Sequence, residues 1–376
     1  MSELPAVPET VPERKKSSAA KIDAVQVLRG LAACGVMFSH IAEELLKKAD
    51  GALPAVLPVI VAVGRGGVDV FFVISGFVMM YVSMGDFGSP DGPRRFVLKR
   101  VARVVPVYWF YTTLMLVIVL VAPGLVRAAD RSPGYILASY FFFPVVQKTS
   151  GEMQPLLELG WTLNYEMYFY LIFAGALFLQ RRAGIVVLAL YFSAAVLVGA
   201  FLGPSAGALW YWTRPIILQF LAGAILAVLF FSGVRVPRYA ALALSAGGLL
   251  WLIAFYDDGN VGLTTLSVTA ICWVAAATLV KAKSSSVAGN SPLWRFLLLL
   301  GDASYSLYLV HMFVIRAVSH IVHSSSSIYL YAFPALVVPV SIICAIASYR
   351  YIEIPSNIWL RQRLLSLHWP TEKSLR

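Results

Sequence analysis

The sequence predicts an all-α, polytopic integral membrane protein with about ten transmembrane helices and both termini cytoplasmic. Three observations carry that reading. The 376 residues are 59% hydrophobic and 13% charged, with mean hydropathy +0.78, far too apolar for a soluble chain of this length. The apolar residues gather into runs able to cross roughly 30 Å of hydrocarbon. The basic residues behind the net charge of +11 lie in short clusters between those runs, as topology signals do, rather than on a nucleic-acid-binding surface.

Residues 1–21 hold Pro5, Pro8, Pro12 and the basic group Arg14, Lys15, Lys16 and Lys21, and read as a disordered basic cytoplasmic tail. Spans follow at 24–46, 58–82, 104–125, 161–180, 184–203, 209–232, 239–256, 261–280, 296–319 and 328–350. The apolar stretch 134–147 is too short to cross and suits an interfacial or re-entrant piece. Charge supports its not crossing. With 126–160 as an outer loop, Arg94, Arg95, Lys99, Arg100 and Arg103, then Arg181 and Arg182, Arg235 and Arg238, Lys281, Lys283 and Arg295, and Arg361 and Arg363 all share the side of the basic N-terminus. The transmembrane domain is therefore expected over 22–356, with 357–376 a short cytoplasmic tail.

Cys34, Cys272 and Cys344 lie apart within apolar segments and read as small core residues, so neither a disulfide framework nor a metal site is expected. Leu31-Ala32-Ala33-Cys34 looks like a lipoprotein cleavage box, but Asp23, Gln26 and Arg29 occupy the place of its apolar stretch, and no cleaved leader is expected. No internal repeat is visible, so the inverted-repeat signature of many secondary transporters is missing.

The chemistry begins in the first span, where Arg29 and His40 stand eleven positions apart. That interval returns to within roughly 20° of the same helix face and separates the two by about 16 Å along the axis. Ionisable groups at such depth line a cavity, pair, or work. A neutral imidazole in a low-dielectric site can take a proton from a hydroxyl, which makes His40 a candidate general base. Asp69, in Gly67-Val68-Asp69, is a candidate to orient His40, while Ser75 and Gly76 read as small residues for close helix approach. Arg100 and Arg103, three apart at the mouth of the third span, suit phosphate from the cytoplasmic side.

Glu166, about a turn and a half into the fourth span, would bind a sugar hydroxyl or pair with Arg214. Gly301 through His311 gives the ninth span a polar cytoplasmic end and a histidine nearer the outside, and Arg350 with Glu353 reads as a local ion pair. On this topology His40, Asp69, Glu166, Arg214 and His311 lie in the outer half or near mid-membrane, and Arg29, Arg100, Arg103, Asp302, Arg350 and Glu353 toward the cytoplasm.

Taken in order, Val25-Gln26-x-Leu28-Arg29-Gly30 with His40, Gly67-Val68-Asp69 to Ser75-Gly76-Phe77, Arg100-x-x-Arg103, Trp161-Thr162-Leu163 to Glu166, Ser304-Tyr305-Ser306 to His311, and Tyr349-Arg350 to Glu353-x-Pro355 resemble the membrane acyltransferase family 3, most closely its exopolysaccharide-production branch. The resemblance implies transfer of an acyl group, commonly acetyl from cytoplasmic acetyl-CoA, to a hydroxyl of a surface polysaccharide or lipid-linked sugar presented across the bacterial inner membrane. It implies that Arg29, Arg100 and Arg103 hold the anionic donor and that His40 acts at the thioester as base or nucleophile. Asp69, Glu166 and His311 are further catalytic candidates. Intramembrane His, Asp, Glu and Arg equally suit the proton relay of a polytopic exporter, the rival reading, and a non-catalytic scaffold for polysaccharide assembly is a third.

Overall fold

The computed structural model describes residues 23–48, 54–122, 124, 130–148, 150–257, 261–281, 291–321 and 327–366. The expected N-terminal tail and the end of the C-terminal one lie outside them. The described residues form fourteen α-helices and, apart from isolated bridges, no strand. In chain order these are α1 (Asp23–Lys48), α2 (Val56–Ser83), α3 (Gly92–Val121), α4 (Pro133–Tyr140), α5 (Trp161–Ala176), α6 (Arg181–Gly199), α7 (Ala208–Trp212), α8 (Leu218–Phe231), α9 (Arg238–Ala254), α10 (Leu263–Leu279), α11 (Pro292–Asp302), α12 (Ser304–Ile321), α13 (Ser327–Ser348) and α14 (Ile354–Ser366).

A helix occupies each expected span, because in hydrocarbon only internal hydrogen bonding satisfies the backbone. Their lengths are less uniform than expected. Among the described residues, α1, α2, α3, α6 and the continuous rod Tyr329–Leu364 are long and apolar enough to cross a membrane, and α11 with α12 makes a sixth candidate bent by 77°. The expected crossing at 209–232 breaks into α7, a 3₁₀ turn at Pro215–Ile217 and α8. Residues 134–147 contain only the eight-residue α4, about 12 Å of helix. The final rod carries a π-helical turn at Tyr349–Glu353, and α14 runs on to Ser366 through the start of the expected tail.

The centre of the molecule is the bundle of α1, α2, α8 and α12. A Cβ on Gly76 would fall on the Phe220 carbonyl of α8, and one on Gly223 of α8 would fall on the Val73 carbonyl of α2, so glycine at both positions sets this crossing. The opposite side of α2 meets α1, where Gly67 abuts the Ala32 carbonyl. Phe72, Phe169 and Phe220 stack through the core with centroids 4.6 and 4.7 Å apart. The three cysteines are free and half-buried, less enclosed than core residues would be.

Candidate active site

Helices α1, α2, α3, α5 and α12 enclose a cavity of about 330 Å³, at the small end of small-molecule sites. Arg29, Arg100 and Arg103 all line it, together with Glu166. Three arginines against one glutamate leave its wall positive. Arg29 Nη1 donates to Gln26 Oε1 at 3.2 Å and lies within electrostatic range of Arg103, Glu353, Glu166 and Asp302. The Arg100 guanidinium lies 5.9 Å from the Phe96 ring, and its buried Nε has no hydrogen-bond partner. A buried cationic donor without an acceptor is costly unless a ligand supplies one. The residues present thus fit an anionic donor with a slender arm.

Glu166 accepts hydrogen bonds from Ser75 Oγ at 2.9 Å and from the Tyr170 hydroxyl. It does not pair with Arg214, whose guanidinium stands 4.8 Å from the Trp210 ring. Ser75 is eight residues from the end of α2 at Ser83, about 12 Å, so Glu166 sits beside the C-terminal part of α2. Helix α5, which carries it, is only 16 residues long and follows a loop end in which Leu156, Leu157 and Leu159 are buried. Ser75 is also more than a small spacer, since it holds this carboxylate.

His40 and His311 face each other with ring centroids 5.4 Å apart. His311 is fully buried; its Nδ1 donates to the Leu307 carbonyl at 3.0 Å, which leaves Nε2 as the unprotonated nitrogen, without a partner. His40 Nδ1 lies 3.3 Å from Glu43 Oε2. An ionised carboxylate only accepts, so Nδ1 donates, and in the neutral ring Nε2 is then the acceptor nitrogen. The other Glu43 oxygen accepts from Arg65 Nη2 at 2.9 Å and Nε at 3.1 Å. Neither histidine lines the arginine cavity, but Tyr308 does, and its ring centroid is 6.2 Å from that of His311.

Asp69 is not the partner of His40. It is buried and accepts from Gln219 Nε2 of α8, which also donates to Ser267 Oγ at 2.7 Å. The carboxylate beside His40 is Glu43, whose signal was present as a His-x-x-Glu spacing, neighbours on one helix face. Glu353 was also missed as a site residue. It is buried and accepts from Ser306 Oγ at 2.7 Å, at the end of a chain in which Tyr111 donates to Ser348 at 2.8 Å and Ser348 to Ser306 at 3.2 Å. Arg350, its expected partner, is exposed.

A family described as the acyltransferase domain matches residues 22–349. The chain belongs to acyltransferase family 3. It is an O-acyltransferase and a multi-pass membrane protein, which sets the exporter reading aside. Its relatives include the exopolysaccharide production protein ExoZ of Rhizobium meliloti, 39% identical over 68% of this chain and 78% of that protein. The acyltransferase MdmB of Streptomyces mycarofaciens is 28% identical over 77% of this chain and 78% of its own. A Bacillus subtilis protein named "Putative peptidoglycan O-acetyltransferase YrhL" is 26% identical over 77% of this chain and half of its own length. No solved structure matches this acyltransferase.

Proposed function

We propose that this acyltransferase moves an acetyl group from acetyl-CoA, entering from the cytoplasmic side, to a hydroxyl of an exopolysaccharide or its lipid-linked precursor, in the bacterial inner membrane. The observation that carries the reading is the cavity that gathers Arg29, Arg100 and Arg103, with the buried Nε of Arg100 unpartnered. Such a wall suits the phosphates of CoA, and about 16 Å along α1 from Arg29 to His40 suits the extended arm that follows them. The relative named for exopolysaccharide production supports the acceptor class.

In this reading residues 22–356 form the transmembrane unit, crossing ten times with both flanking tails cytoplasmic. The alternation of basic clusters supports that count. His40, oriented by Glu43, takes the proton of the acceptor hydroxyl as its oxygen attacks the thioester carbonyl. The C–S bond then breaks, the ester C–O bond remains, and the imidazolium returns the proton to the departing CoA sulfur. A positioned base of this kind contributes about 10²- to 10⁴-fold. His311, whose ring faces that of His40, positions the base, Glu166 positions the donor arm through Ser75 and Tyr170, and Asp69 acts through Gln219 on the packing of α2 against α8.

The test is transfer of labelled acetyl from acetyl-CoA by purified protein in proteoliposomes supplied with a polysaccharide acceptor, comparing wild type with His40→Ala at equal folding and insertion. Loss of both labelled product and CoA release in the variant is expected. Equal activity in the two would remove His40 from the chemistry. Label that accumulates on wild-type protein without acceptor would replace direct attack by an acetyl-histidine route.

A further inference from the structure

A second cavity, of about 540 Å³, opens beside the first, lined by residues of the 146–154 loop, the start of α5 and the α7 region. Its walls are unlike those of the arginine cavity. Trp161, Trp210, Tyr165 and Tyr211 supply aromatic surface, and Glu152, Gln154 and Arg214 supply polar ends. Tyr165 and Tyr211 stack at 4.3 Å; the Tyr165 hydroxyl donates to the Tyr211 carbonyl and the Tyr211 hydroxyl to the Trp161 carbonyl, each at 2.8 Å. The two bonds tie α5 and α7 together along this wall. The loop is fixed as well, because the Tyr135 hydroxyl donates to the Gln154 carbonyl at 2.9 Å and the Gln147 amide to the Glu152 carbonyl at 2.8 Å.

Flat aromatic faces with a few hydrogen-bonding groups at their edges suit pyranose rings, which present C–H surface on the face and hydroxyls around the rim. Arg214 adds a charge requirement. It is exposed, makes no ion pair among the described residues, and is held over the Trp210 ring, so its fork is available to an anion on the ligand. The position is also informative. Phe72, on the wall of the arginine cavity, meets Trp161 and Tyr165 edge-on at 6.3 and 6.1 Å, so one aromatic layer separates the two cavities.

We infer that this second cavity is the acceptor site and that it selects a saccharide carrying an anionic group, which Arg214 holds while Trp210 and Trp161 cover the sugar faces. The inference rests on the acceptor class proposed above and adds the site and its charge preference. The anion is a carboxylate on the sugar or the diphosphate of a lipid carrier, and the same fork serves either.

The experiment measures calorimetric affinity of the detergent-solubilised full chain for three probes: a neutral glucan oligosaccharide, one of equal length containing glucuronate, and the neutral oligosaccharide on a polyprenyl diphosphate. Acetyl-CoA affinity and acetyl transfer are measured in parallel. Wild type should bind one or both anionic probes about tenfold or more tighter than the neutral one. Arg214→Gln should erase that preference, and Trp210→Ala should weaken all saccharide probes, with acetyl-CoA affinity unchanged in both. Whichever anionic probe is preferred names the source of the charge. Equal affinities for all probes in wild type, or a preference that survives Arg214→Gln, would overturn the inference even if acetyl transfer proceeds. Anion-selective binding through Arg214 without any acetyl-CoA binding would sink the proposed donor and leave this site standing.

Discussion

Glu43→Gln tests the catalytic reading most directly, because the side chain keeps its size and an acceptor oxygen but loses its charge. The Glu43 oxygen lies 3.3 Å from His40 Nδ1. Two unit charges at that distance attract by about 5 kcal/mol at an effective dielectric of about 20. In the proposed step His40 gains charge as it takes the acceptor's proton, so this attraction favours the transition state over the ground state. Two features reduce it: Arg65 shares the carboxylate, and the His40 and Glu43 side chains are 22% and 20% exposed. Halving for both leaves about 2 to 3 kcal/mol, a fall of about 30- to 160-fold in kcat. The KM for acetyl-CoA should not move, since Glu43 does not line the arginine cavity. The assay is labelled acetyl transfer in proteoliposomes. Glu44→Gln is the control for charge alone, because Glu44 is held by Ser319 and Lys48 instead, and it should keep the wild-type kcat. A Glu43→Gln enzyme with wild-type kcat, alongside an inactive His40→Ala, would refute the Glu43–His40 pairing as a working unit.

Arg100→Gln should raise the KM for acetyl-CoA by about 10- to 100-fold through loss of a charge-assisted hydrogen bond, with kcat unchanged; an unaltered KM would remove Arg100 from donor binding. Gly76→Ala places a methyl against the Phe220 carbonyl and should destabilise the α2–α8 crossing by about 1–3 kcal/mol or more, read as a lower melting temperature in detergent. A melting temperature equal to wild type would mean that the crossing does not need glycine there. A cysteine at Arg182 in an otherwise cysteine-free chain should react with an impermeant maleimide only from the cytoplasmic side, and labelling from outside would overturn the ten-crossing topology.

How the site assembles explains which parts of it the sequence could and could not convey. Asp69 and Gly76 are seven residues apart on α2, which returns to nearly the same direction. Gly76 must face α8 to let the Phe220 carbonyl approach, so Asp69 faces α8 too and meets Gln219, one turn from Gly223. Gly67, two residues before Asp69 and hence on the other side of α2, is the residue that touches α1. The helix that carries His40 therefore lies behind Asp69. Glu166 meets Ser75 and Tyr170 in place of Arg214, because hydropathy locates an apolar run but not the neighbours it will meet.

The sequence by itself determined the helical class, the existence of each apolar helix, the shared face of Arg29 and His40, and the basic pair on α3. All of these follow from composition or from spacing within one helix, where 3.6 residues per turn fixes relative directions. The His40–Glu43 pair obeys the same rule and was legible. The tertiary structure alone decided that three arginines share a cavity with Glu166, that His311 meets His40, that Glu353 ends a hydroxyl chain from Tyr111, and that Arg214 stands apart over Trp210. Those contacts depend on how far each helix is rotated about its axis and how deep it sits, which is set by where backbones of different helices can approach.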